Sequence, residues 1–571
     1  MTAGAALVLR ALEDEGIRFA FGIPGTHNIE LYDALAGSDR VRPILVTDEQ
    51  SASFMADAAW RASGVMACVN VVPGAGLTHA LSGIAEAFMD TVPMLVLGCG
   101  IRADSPMAYQ LHDIDQRAVV GPVTKGTFKP ANGEEIYSLI RRACRLAREG
   151  RPGPVFVEIP ADLYLLRQKE PQPWRETALS AAPPDAEAVR RAAELLVRAR
   201  RPLLYAGLGA AGAGTDLIRL AERLQSPVAT TFQGKGVFPE SHPLALWPGY
   251  GAAAPPFARA IAADCDATLA IGCRFGEVAT ASYGAPPPGA LIHADIDPAV
   301  PGRNYPAEVA LTADAAAFVA ALLERLPPRE PDRELHAQIR RGRAEVRREI
   351  EAPSEKGVSP GRLLRALQER FGPGTIFTTD SGNGTFLAVE GLLLDQPGKL
   401  LAPVDYSCMG YAVPAAIGAK LAMPDAPVVA LAGDGAFLMT GLELLTAANL
   451  GLAVAIFVLR DRELAQIAQF QSVAFGRKAS SVLPDYDLHS ISRGIGVECL
   501  PLDSDGAIAD VVGQASAITS AGRPVVVDVA IDYSSKTFFT RGVVKTMFGR
   551  LPWPDRIRFA ARALARHIYR G

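Results

Sequence analysis

Short apolar runs alternate with helical patterns along the whole chain. Runs such as residues 19–22 and 155–158 have the length of buried strands. Between the runs, apolar residues recur at intervals of three or four, as at Phe54, Ala58 and Ala62, which is the period of an amphipathic helix. Strands that alternate with helices favour parallel sheets covered by helices. The pattern therefore predicts an α/β fold with parallel sheets.

Two interruptions of this alternation divide the chain into predicted domains. Residues 167–185 are rich in Pro, Gln and charge, and residues 328–357 are strongly charged. We interpret the first as a linker and the second as a surface helix with a connector. The predicted units are a first α/β domain at 1–166, a central one at 186–327, a third at 358–535 and a C-terminal tail at 536–571.

Composition narrows the class of protein. The 571 residues include 57 Lys and Arg against 61 Asp and Glu, a net charge of −4, which gives no general attraction for nucleic acid. Seven cysteines without a Cys-x-x-Cys pair predict free thiols. The sequence shows neither a signal peptide nor an apolar run of membrane-spanning length. We therefore expect a globular, cytoplasmic protein without a nucleic-acid partner.

The clearest chemical motif is Gly433-Asp434-Gly435, which follows a strand-length apolar run. Asp461 follows the next predicted strand along the chain. The carboxyl ends of neighbouring parallel strands form the crevice where open α/β sheets bind ligands. Two carboxylates there, with glycines that admit a close backbone, would suit Mg²⁺ and a diphosphate. A tight turn capped by Asp434 is the alternative interpretation.

The spacing of these residues resembles the thiamine diphosphate signature. In that signature Gly-Asp-Gly is followed after 24 residues by a polar pair, usually Asn-Asn or Asn-Asp, which is Arg460-Asp461 here. The resemblance implies that the side chains of Asp434 and Asp461 ligate Mg²⁺, and that Glu463 contributes its main-chain carbonyl. Arg460 departs from the signature, and we expect it to flank the metal site with a cation.

Other segments resemble the acetolactate synthase and pyruvate oxidase branch of this family, in the same order along almost the whole chain. Met409 matches the large apolar residue that wedges between the two rings of the cofactor, although core packing is the other interpretation. Glu49 occupies the place of the acid that hydrogen-bonds the pyrimidine and acts in general acid/base catalysis. A Glu at a helix start also simply favours the helix dipole. Asp48 replaces the His that is common beside this acid.

By resemblance, the glycine turns at 22–28 and 73–79 and the loop at 109–116 would complete the site, and the loop that begins at Asp380 would contact the diphosphate. Gln110 matches a glutamine near the substrate, and His112 lies where keto-acid decarboxylases use a histidine in proton transfer. The predicted catalytic residues are Glu49, His112, Gln110 and His27. The predicted contacts to the cofactor are Pro24, Gly25, Gly74, Asn383, Gly384, Ser407, Met409, Gly433, Gly435 and Ala436.

The resemblance implies an activity and leaves alternatives open. The implied reaction is decarboxylation of a pyruvate-like 2-keto acid, with the remaining fragment joined to a second carbonyl. Gln466 and Ile467 would point at the substrate, and Ile467 stands where aliphatic pyruvate decarboxylases carry a glutamate, which disfavours simple aldehyde release. The alternatives are a non-ligating decarboxylase, an FAD-dependent pyruvate oxidase and a non-catalytic cofactor-binding paralogue.

The central domain contains residues that could contact FAD. Gly207, Gly209 and Arg274 resemble FAD contacts of acetolactate synthases, but tight packing explains such glycines equally well. Gly276-Glu277-Val278 replaces the Asp-Asp-Arg that follows there in relatives. FAD therefore stays an open alternative beside thiamine diphosphate and Mg²⁺.

Assembly and the tail give two further expectations. In the family the active site lies between subunits, which implies a homodimer or homotetramer. The tail carries nine Lys or Arg against the single acid Asp555, and its pattern from Arg556 onward predicts a basic amphipathic helix. Such a helix could contact a membrane or close over the active site. It could also dock on the protein, for which the tail offers the anchors Phe538, Phe539, Phe548 and Trp553.

Overall fold

The computed structural model describes residues 1–169, 174 and 183–558. The described residues form three six-stranded parallel sheets and one short antiparallel pair, Thr2–Ala3 with Arg167–Gln168. The predicted α/β fold with three parallel sheets is confirmed. Most of the predicted linker, and residues 559–571 of the predicted amphipathic helix, lie outside the described residues.

The first sheet forms from strands close to those that the apolar runs predict. In spatial order its strands are Arg42–Leu45, Phe19–Gly22, Cys68–Val71, Leu95–Gly100, Val155–Pro160 and Thr127–Phe128. The α-helices of this region are Gly4–Asp14, Ile29–Ala36, Glu49–Ser63, Ala75–Met89, Gln116–Val120, Ile136–Arg148 and Ala161–Leu165. Numbered along the chain, the strands have the order 2-1-3-4-6-5.

The central sheet has a different order. Its strands are Ala245–Pro248, Val228–Thr230, Pro202–Ala206, Ala267–Ile271, Ala290–Asp295 and Val309–Thr312 in space, which is 3-2-1-4-5-6 along the chain. The α-helices are Ala186–Arg198, Gly214–Leu224, Pro256–Ala263, Ala315–Leu323 and Arg333–Ile350. The last of these is the surface helix predicted from the charged stretch 328–357.

The third sheet repeats the order of the first. Its strands are Leu400–Leu401, Ile376–Thr379, Val428–Gly433, Val454–Arg460, Val525–Ala530 and Glu498–Leu502 in space, again 2-1-3-4-6-5. The α-helices are Pro360–Phe371, Asn383–Gly391, Ala412–Ala422, Asp434–Thr440, Leu444–Leu450, Ala465–Phe475, Leu488–Gly494, Ile508–Ser520 and, in the tail, Phe538–Arg550.

A single hydrophobic core joins the first and third domains. Helix Glu49–Ser63 packs against helix Ala412–Ala422 so closely that a Cβ at Gly418 would lie 2.2 Å from the carbonyl oxygen of Met55. The Tyr411 hydroxyl donates to the buried carboxylate of Asp57 at 2.5 Å. Because these helices begin beside Glu49 and follow Met409, their packing sets the relative position of two predicted site residues.

The first helix of the tail docks on the protein. Phe538 and Phe539 are buried, as the prediction of docking anchors requires, and the backbone N–H groups of both donate to the carboxylate of Glu390. Phe548 and Trp553, also predicted as anchors, are instead 42% and 70% exposed. The helix also contacts the central domain further along, because the Arg550 guanidinium lies 5.5 Å from the centre of the Tyr283 ring.

Two sequence-level expectations about thiols and membranes can be compared with the fold. All seven cysteines lie in the described part of the chain and none is disulfide-bonded, which confirms the prediction of free thiols. Across residues 1–169 and 183–558, no helix combines the length and the apolar character needed to cross a bilayer.

Candidate active site

A cavity opens at the carboxyl end of the third sheet. Its walls contain all three predicted metal ligands and six of the predicted cofactor contacts, namely Asp434, Asp461, Glu463, Asn383, Gly384, Met409, Gly433, Gly435 and Ala436. Gln466 and Ile467, predicted to face the substrate, also line it. The parallel strands bring these residues together because their carboxyl ends share one edge of the sheet.

Asp434 and Asp461 form an acidic pair in this cavity. Asp434 begins a helix and is 1% exposed, and its carboxylate accepts from the N–H groups of Gly435 at 2.8 Å and Arg462 at 2.7 Å. Burial, and then the neighbouring Asp434 carboxylate, raise the pKa of Asp461 to about 7. Carboxylates that oppose each other's ionisation are stabilised by a shared cation, and Mg²⁺ prefers such oxygen donors. The residues present therefore fit a magnesium ion.

Arg460 flanks the acidic pair without lining the cavity, and its charge acts on Asp434. Its Nε donates to Asp528 at 2.6 Å, on the neighbouring strand, and its Nη2 lies 3.8 Å from the carboxylate of Asp503. Arg460 is not among the residues that line the cavity. The Arg460 guanidinium thus pairs outside the cavity with Asp528 and Asp503, two acids that lie beyond the motif in sequence.

Glu463 uses its carboxylate elsewhere. The side chain pairs with Lys478, and the backbone N–H of Glu463 donates to Asp461 at 3.2 Å. The role of the Glu463 main-chain carbonyl as a metal ligand therefore stays a prediction.

Met409 is half-buried and lines the cavity, so core packing alone does not account for it. The segment around it is held in an unusual conformation, with positive φ at Ser407 (65°) and Gly410 (88°). Asp380, which is buried, fixes the segment by accepting from the N–H groups of Gly410 at 2.8 Å and Ala412 at 3.0 Å. We predicted the loop of Asp380 as a diphosphate contact, and missed that its carboxylate supports Met409. Its one signal is an Asp directly after a buried strand.

Glu49 is 7% exposed and begins helix Glu49–Ser63. Asp48 caps the helix by accepting from the Gln50 N–H at 3.3 Å. The imidazole Nδ1 of His79 lies 3.4 Å from Asp48 and 3.5 Å from Glu49. A Cβ at Gly76 would lie 3.0 Å from Oε1 of Glu49, so the glycine leaves room for the acid. Gly76 and His79 belong to the second glycine turn, residues 73–79, which the resemblance places at the site, although neither is among the predicted site residues.

Glu443 positions the strand end that leads to Glu49. This fully buried glutamate of the third domain accepts from the backbone N–H of Thr47 at 3.1 Å and from its hydroxyl at 2.6 Å. A third donor, the Thr446 hydroxyl, lies at 2.6 Å. The sequence gives no signal for this contact, because Thr47 and Glu443 are 396 residues apart.

His27 and His112 meet edge to face, with ring centroids 5.5 Å apart. Burial, followed by the neighbouring His112, lowers the pKa of His27. Gly74 lies directly under His112, since a Cβ at Gly74 would be 3.1 Å from the His112 carbonyl oxygen. The two histidines therefore form a pair, and their role in proton transfer stays a prediction.

The remaining predicted residues of the first domain lie in the same loops. Gly25 follows Pro24 in its turn and donates its N–H to Asn28 at 2.7 Å. Gln110 is half-buried in the loop before His112. Gln116 was missed: its Oε1 accepts from the Gly74 N–H at 3.2 Å, and its Nε2 donates to the Cys99 carbonyl at 2.9 Å.

The structure thus contains two separate groups of predicted residues. Glu49, His27 and His112 do not line the cavity of the third domain, and neither does Ser407. Ser407 instead hydrogen-bonds Ser381 through its hydroxyl at 2.8 Å. Within one chain, the acidic pair with Met409 and the Glu49 and histidine group are therefore two clusters, and Gln50, next to Glu49, donates its Nε2 to the Met409 carbonyl at 3.5 Å.

An acidic cavity at the carboxyl edge of a parallel sheet defines an α/β protein that binds a ligand at this edge. Sequence models of the thiamine pyrophosphate enzyme family match the chain in three parts: the N-terminal TPP binding domain at residues 1–119, the central domain at 189–322 and the C-terminal TPP binding domain at 380–529. The chain belongs to this family.

The relatives indicate the branch. A probable acetolactate synthase large subunit of Methanocaldococcus jannaschii is 33% identical over 93% of this chain and 92% of the relative. The acetolactate synthase isozyme 3 large subunit of Escherichia coli is 31% identical over 94% and 96%. A probable 2-ketoarginine decarboxylase of Pseudomonas aeruginosa is 37% identical over 79% and 80%. The chain is thus a thiamine diphosphate-dependent enzyme of the acetolactate synthase and pyruvate oxidase-like branch.

Proposed function

We propose that this enzyme decarboxylates a pyruvate-like 2-keto acid and joins the remaining fragment to a second carbonyl, with thiamine diphosphate and Mg²⁺. The observation that carries the proposal is the acidic pair Asp434 and Asp461 in one cavity with Met409. When bound, the cofactor supplies a carbon nucleophile that adds to the keto carbon and allows CO₂ to leave.

The side chains divide the work between binding and proton movement. Asp434 and Asp461 would hold Mg²⁺ against the diphosphate, and Met409 would set the shape of the bound cofactor. Glu49 would hold a proton at its carboxyl group, in a setting from which water is largely excluded, and exchange it with the pyrimidine ring. The pair of His27 and His112 would supply or accept a proton at the substrate end.

The direct test is product analysis. The purified full chain is incubated with thiamine diphosphate, Mg²⁺ and a panel of 2-keto acids, and CO₂ and hydroxyketones are measured. Release of CO₂ together with a hydroxyketone supports the proposal. CO₂ with only an aldehyde indicates a non-ligating decarboxylase, and no CO₂ from any acid indicates a non-catalytic paralogue.

Glu49→Gln tests the assignment of the general acid/base. Cofactor binding should persist while turnover falls about 10²–10⁴-fold, the usual cost of losing such a group. Glu498→Gln, an exposed glutamate of the third sheet, is the matched control and should keep full turnover. Wild-type rates in Glu49→Gln would leave Glu49 as only a helix-start residue.

A second candidate is decarboxylation of a 2-keto acid that carries a cationic side chain. Two observations favour it: the identity to the probable 2-ketoarginine decarboxylase, and the 36% exposed carboxylate of Asp48 beside Glu49. An exposed carboxylate there could pair with a guanidinium group. A kcat/KM for 2-ketoarginine far above that for pyruvate, reversed in Asp48→Asn, would favour this candidate.

The two clusters of predicted site residues are the basis of our proposal about assembly. We expect a homodimer or homotetramer in which Glu49 of one subunit completes the cavity of another. The helix that starts at Asp434 supports an interface, because Leu438, Met439 and the nearby Leu442 are 42%, 56% and 61% exposed, and such a patch is unusual on a free surface.

Mixing two inactive variants tests this arrangement. Glu49→Gln and Asp461→Ala chains, each inactive alone, are unfolded, mixed in equal amounts and refolded together. If each site uses Glu49 from one subunit and Asp461 from the other, hybrids regain one intact site, and activity should recover to about one quarter of wild type. No recovery would place both residues in the site of a single chain.

A further inference from the structure

A second cavity lies where the three domains meet. Its lining includes Asp90 and Arg151 of the first domain, Arg274 and Asp295 of the central domain, and Asp405 of the third. The central sheet has the strand order of dinucleotide-binding folds, and the cavity lies at the carboxyl ends of its strands, where such folds bind ligands. This is the place where the sequence leaves FAD open.

The glycines at this place are accounted for by packing. A Cβ at Gly207 would lie 2.0 Å from the carbonyl oxygen of Gly272, and one at Gly209 would lie 2.8 Å from the Gly272 Cα. Both positions need glycine because two strand ends touch there. Their N–H groups are also used, since Gly207 donates to Ile271 at 2.9 Å and Gly209 to Gly272 at 3.1 Å.

The N-terminus of an α-helix does not follow these glycines directly. The chain continues as a 3₁₀ helix, Leu208–Ala213, and the α-helix starts only at Gly214. The N–H of Ala210 in the first turn donates to the Gly207 carbonyl at 3.0 Å. In dinucleotide-binding folds the diphosphate binds free N–H groups at a helix start, and these three N–H groups are engaged within the protein.

Arg274, the predicted FAD contact, is paired with Asp405 of the third domain. Gly276 lies beside this carboxylate, since a Cβ at Gly276 would be in ordinary contact with Oδ1 of Asp405 at 3.5 Å. The backbone N–H of Asp405 in turn donates to Asp90 at 3.2 Å. Asp405 thus pairs with the guanidinium group that a diphosphate would need. It also lies in the segment that leads to Met409.

The charge around the cavity also opposes an anion. Four carboxylates line it, Asp90, Asp295, Asp297 and Asp405, against two guanidinium groups, Arg151 and Arg274. Asp90 is neutralised by Arg61 at 2.7 Å, while Arg151 lies 4.0 Å from Asp297. A flavin diphosphate would add two negative charges to a cavity whose arginines already pair with carboxylates.

We propose that this cavity excludes FAD, because Asp405 takes the place of the diphosphate on Arg274 and ties the Met409 segment to the central domain. The enzyme then has no bound flavin to accept electrons, which removes the FAD-dependent oxidase from the alternatives. The inference concerns the central cavity alone and does not depend on which keto acid is used.

The test is flavin binding by the full-length holoenzyme. The flavin absorbance of the purified protein is recorded, and FAD is then titrated by equilibrium dialysis. Wild type should carry no flavin and bind FAD with a Kd above about 100 μM, whereas Asp405→Asn and Asp405→Gly should bind it at least about tenfold more tightly. Circular dichroism confirms that each variant is folded, and Asp405→Asn is the smaller change if the glycine variant unfolds.

Asp395→Asn is the matched control. Asp395 accepts from the Ser241 N–H at 2.8 Å across the same pair of domains, but it does not line the cavity. Its FAD affinity should equal that of wild type. Flavin near one per chain in wild type, a wild-type Kd below about 10 μM, or equal affinities of Asp405→Asn and wild type would each overturn the proposal.

Discussion

Adding one methyl group at Gly418 should separate the two helices that join the first and third domains. In Gly418→Ala the new Cβ would lie 2.2 Å from the carbonyl oxygen of Met55, 2.6 Å from its Cα and 2.8 Å from its carbonyl carbon. All three are backbone atoms, so no change of side-chain rotamer can make room. Ordinary contact begins near 3.4 Å, and the helices must therefore move apart by about 1 Å.

The magnitude follows from two opposing terms. Overpacking a dense core costs about 1–3 kcal/mol, and we expect the upper end because the obstacle is backbone. Replacing glycine by alanine inside a helix returns about 1 kcal/mol. The net loss should be about 2 kcal/mol, with cofactor affinity reduced about tenfold or more, since a shift of helix Ala412–Ala422 by about 1 Å displaces Met409 relative to Asp434 and Asp461 in the same cavity.

Chemical denaturation and cofactor titration measure the two effects. The control is Gly513→Ala, in helix Ile508–Ser520, where a Cβ meets nothing within 4 Å and the change should stabilise by about 0.5–1 kcal/mol. The two substitutions are chemically identical, so opposite signs isolate the contact with Met55. A Gly418→Ala variant as stable as Gly513→Ala would refute this account of the interface.

Three further outcomes are expected. Asp461→Ala should abolish Mg²⁺-dependent retention of thiamine diphosphate, because a hard cation needs its oxygen ligands, whereas Arg460→Asn should retain the cofactor. Equilibrium dialysis with and without Mg²⁺ measures this retention. Normal binding by Asp461→Ala would contradict the metal assignment. Tyr411→Phe leaves the buried carboxylate of Asp57 without its 2.5 Å donor and should cost about 1–3 kcal/mol in denaturation, whereas an unchanged midpoint would mean that water replaces the hydroxyl. Burial raises the pKa of Glu390 from 4.5 to about 7, so between these pH values the folded state retains a proton that the unfolded state loses. The free energy of unfolding should therefore fall as pH rises from 4.5 to about 7 and level off above it. If the pH profile of Glu390→Gln runs parallel to that of wild type, Glu390 is not the source of this pH dependence.

Local signals made much of the fold predictable from the sequence. A strand such as Val428–Gly433 is apolar throughout and buried except at its last residue, so its hydrophobic run is sufficient to find it. Asp434 and Asp461 follow adjacent strands, and parallel pairing alone places them at one edge. The cavity of the third domain was therefore predictable down to individual residues.

Contacts between distant residues were not predictable in this way. Whether Arg460 enters the site depends on Asp528, 68 residues further on, and the support of Thr47 by Glu443 depends on how two domains pack. Asp405 meets Arg274 across 131 residues. No pattern of period two or 3.6 reports such pairs, because their energy depends on geometry that exists only after folding.

The identical strand order of the first and third sheets has an evolutionary meaning. In both sheets the second strand is followed by the helix that forms the shared core, Glu49–Ser63 in one and Ala412–Ala422 in the other. Two copies of one topology that meet through corresponding helices are arranged like the subunits of a homodimer. A duplicated ancestral domain would leave this arrangement, with one copy later specialised for the acid Glu49 and the other for Met409 and the metal ligands. Because the residues show no internal repeat, topology is the level at which such an origin would be recorded in this chain.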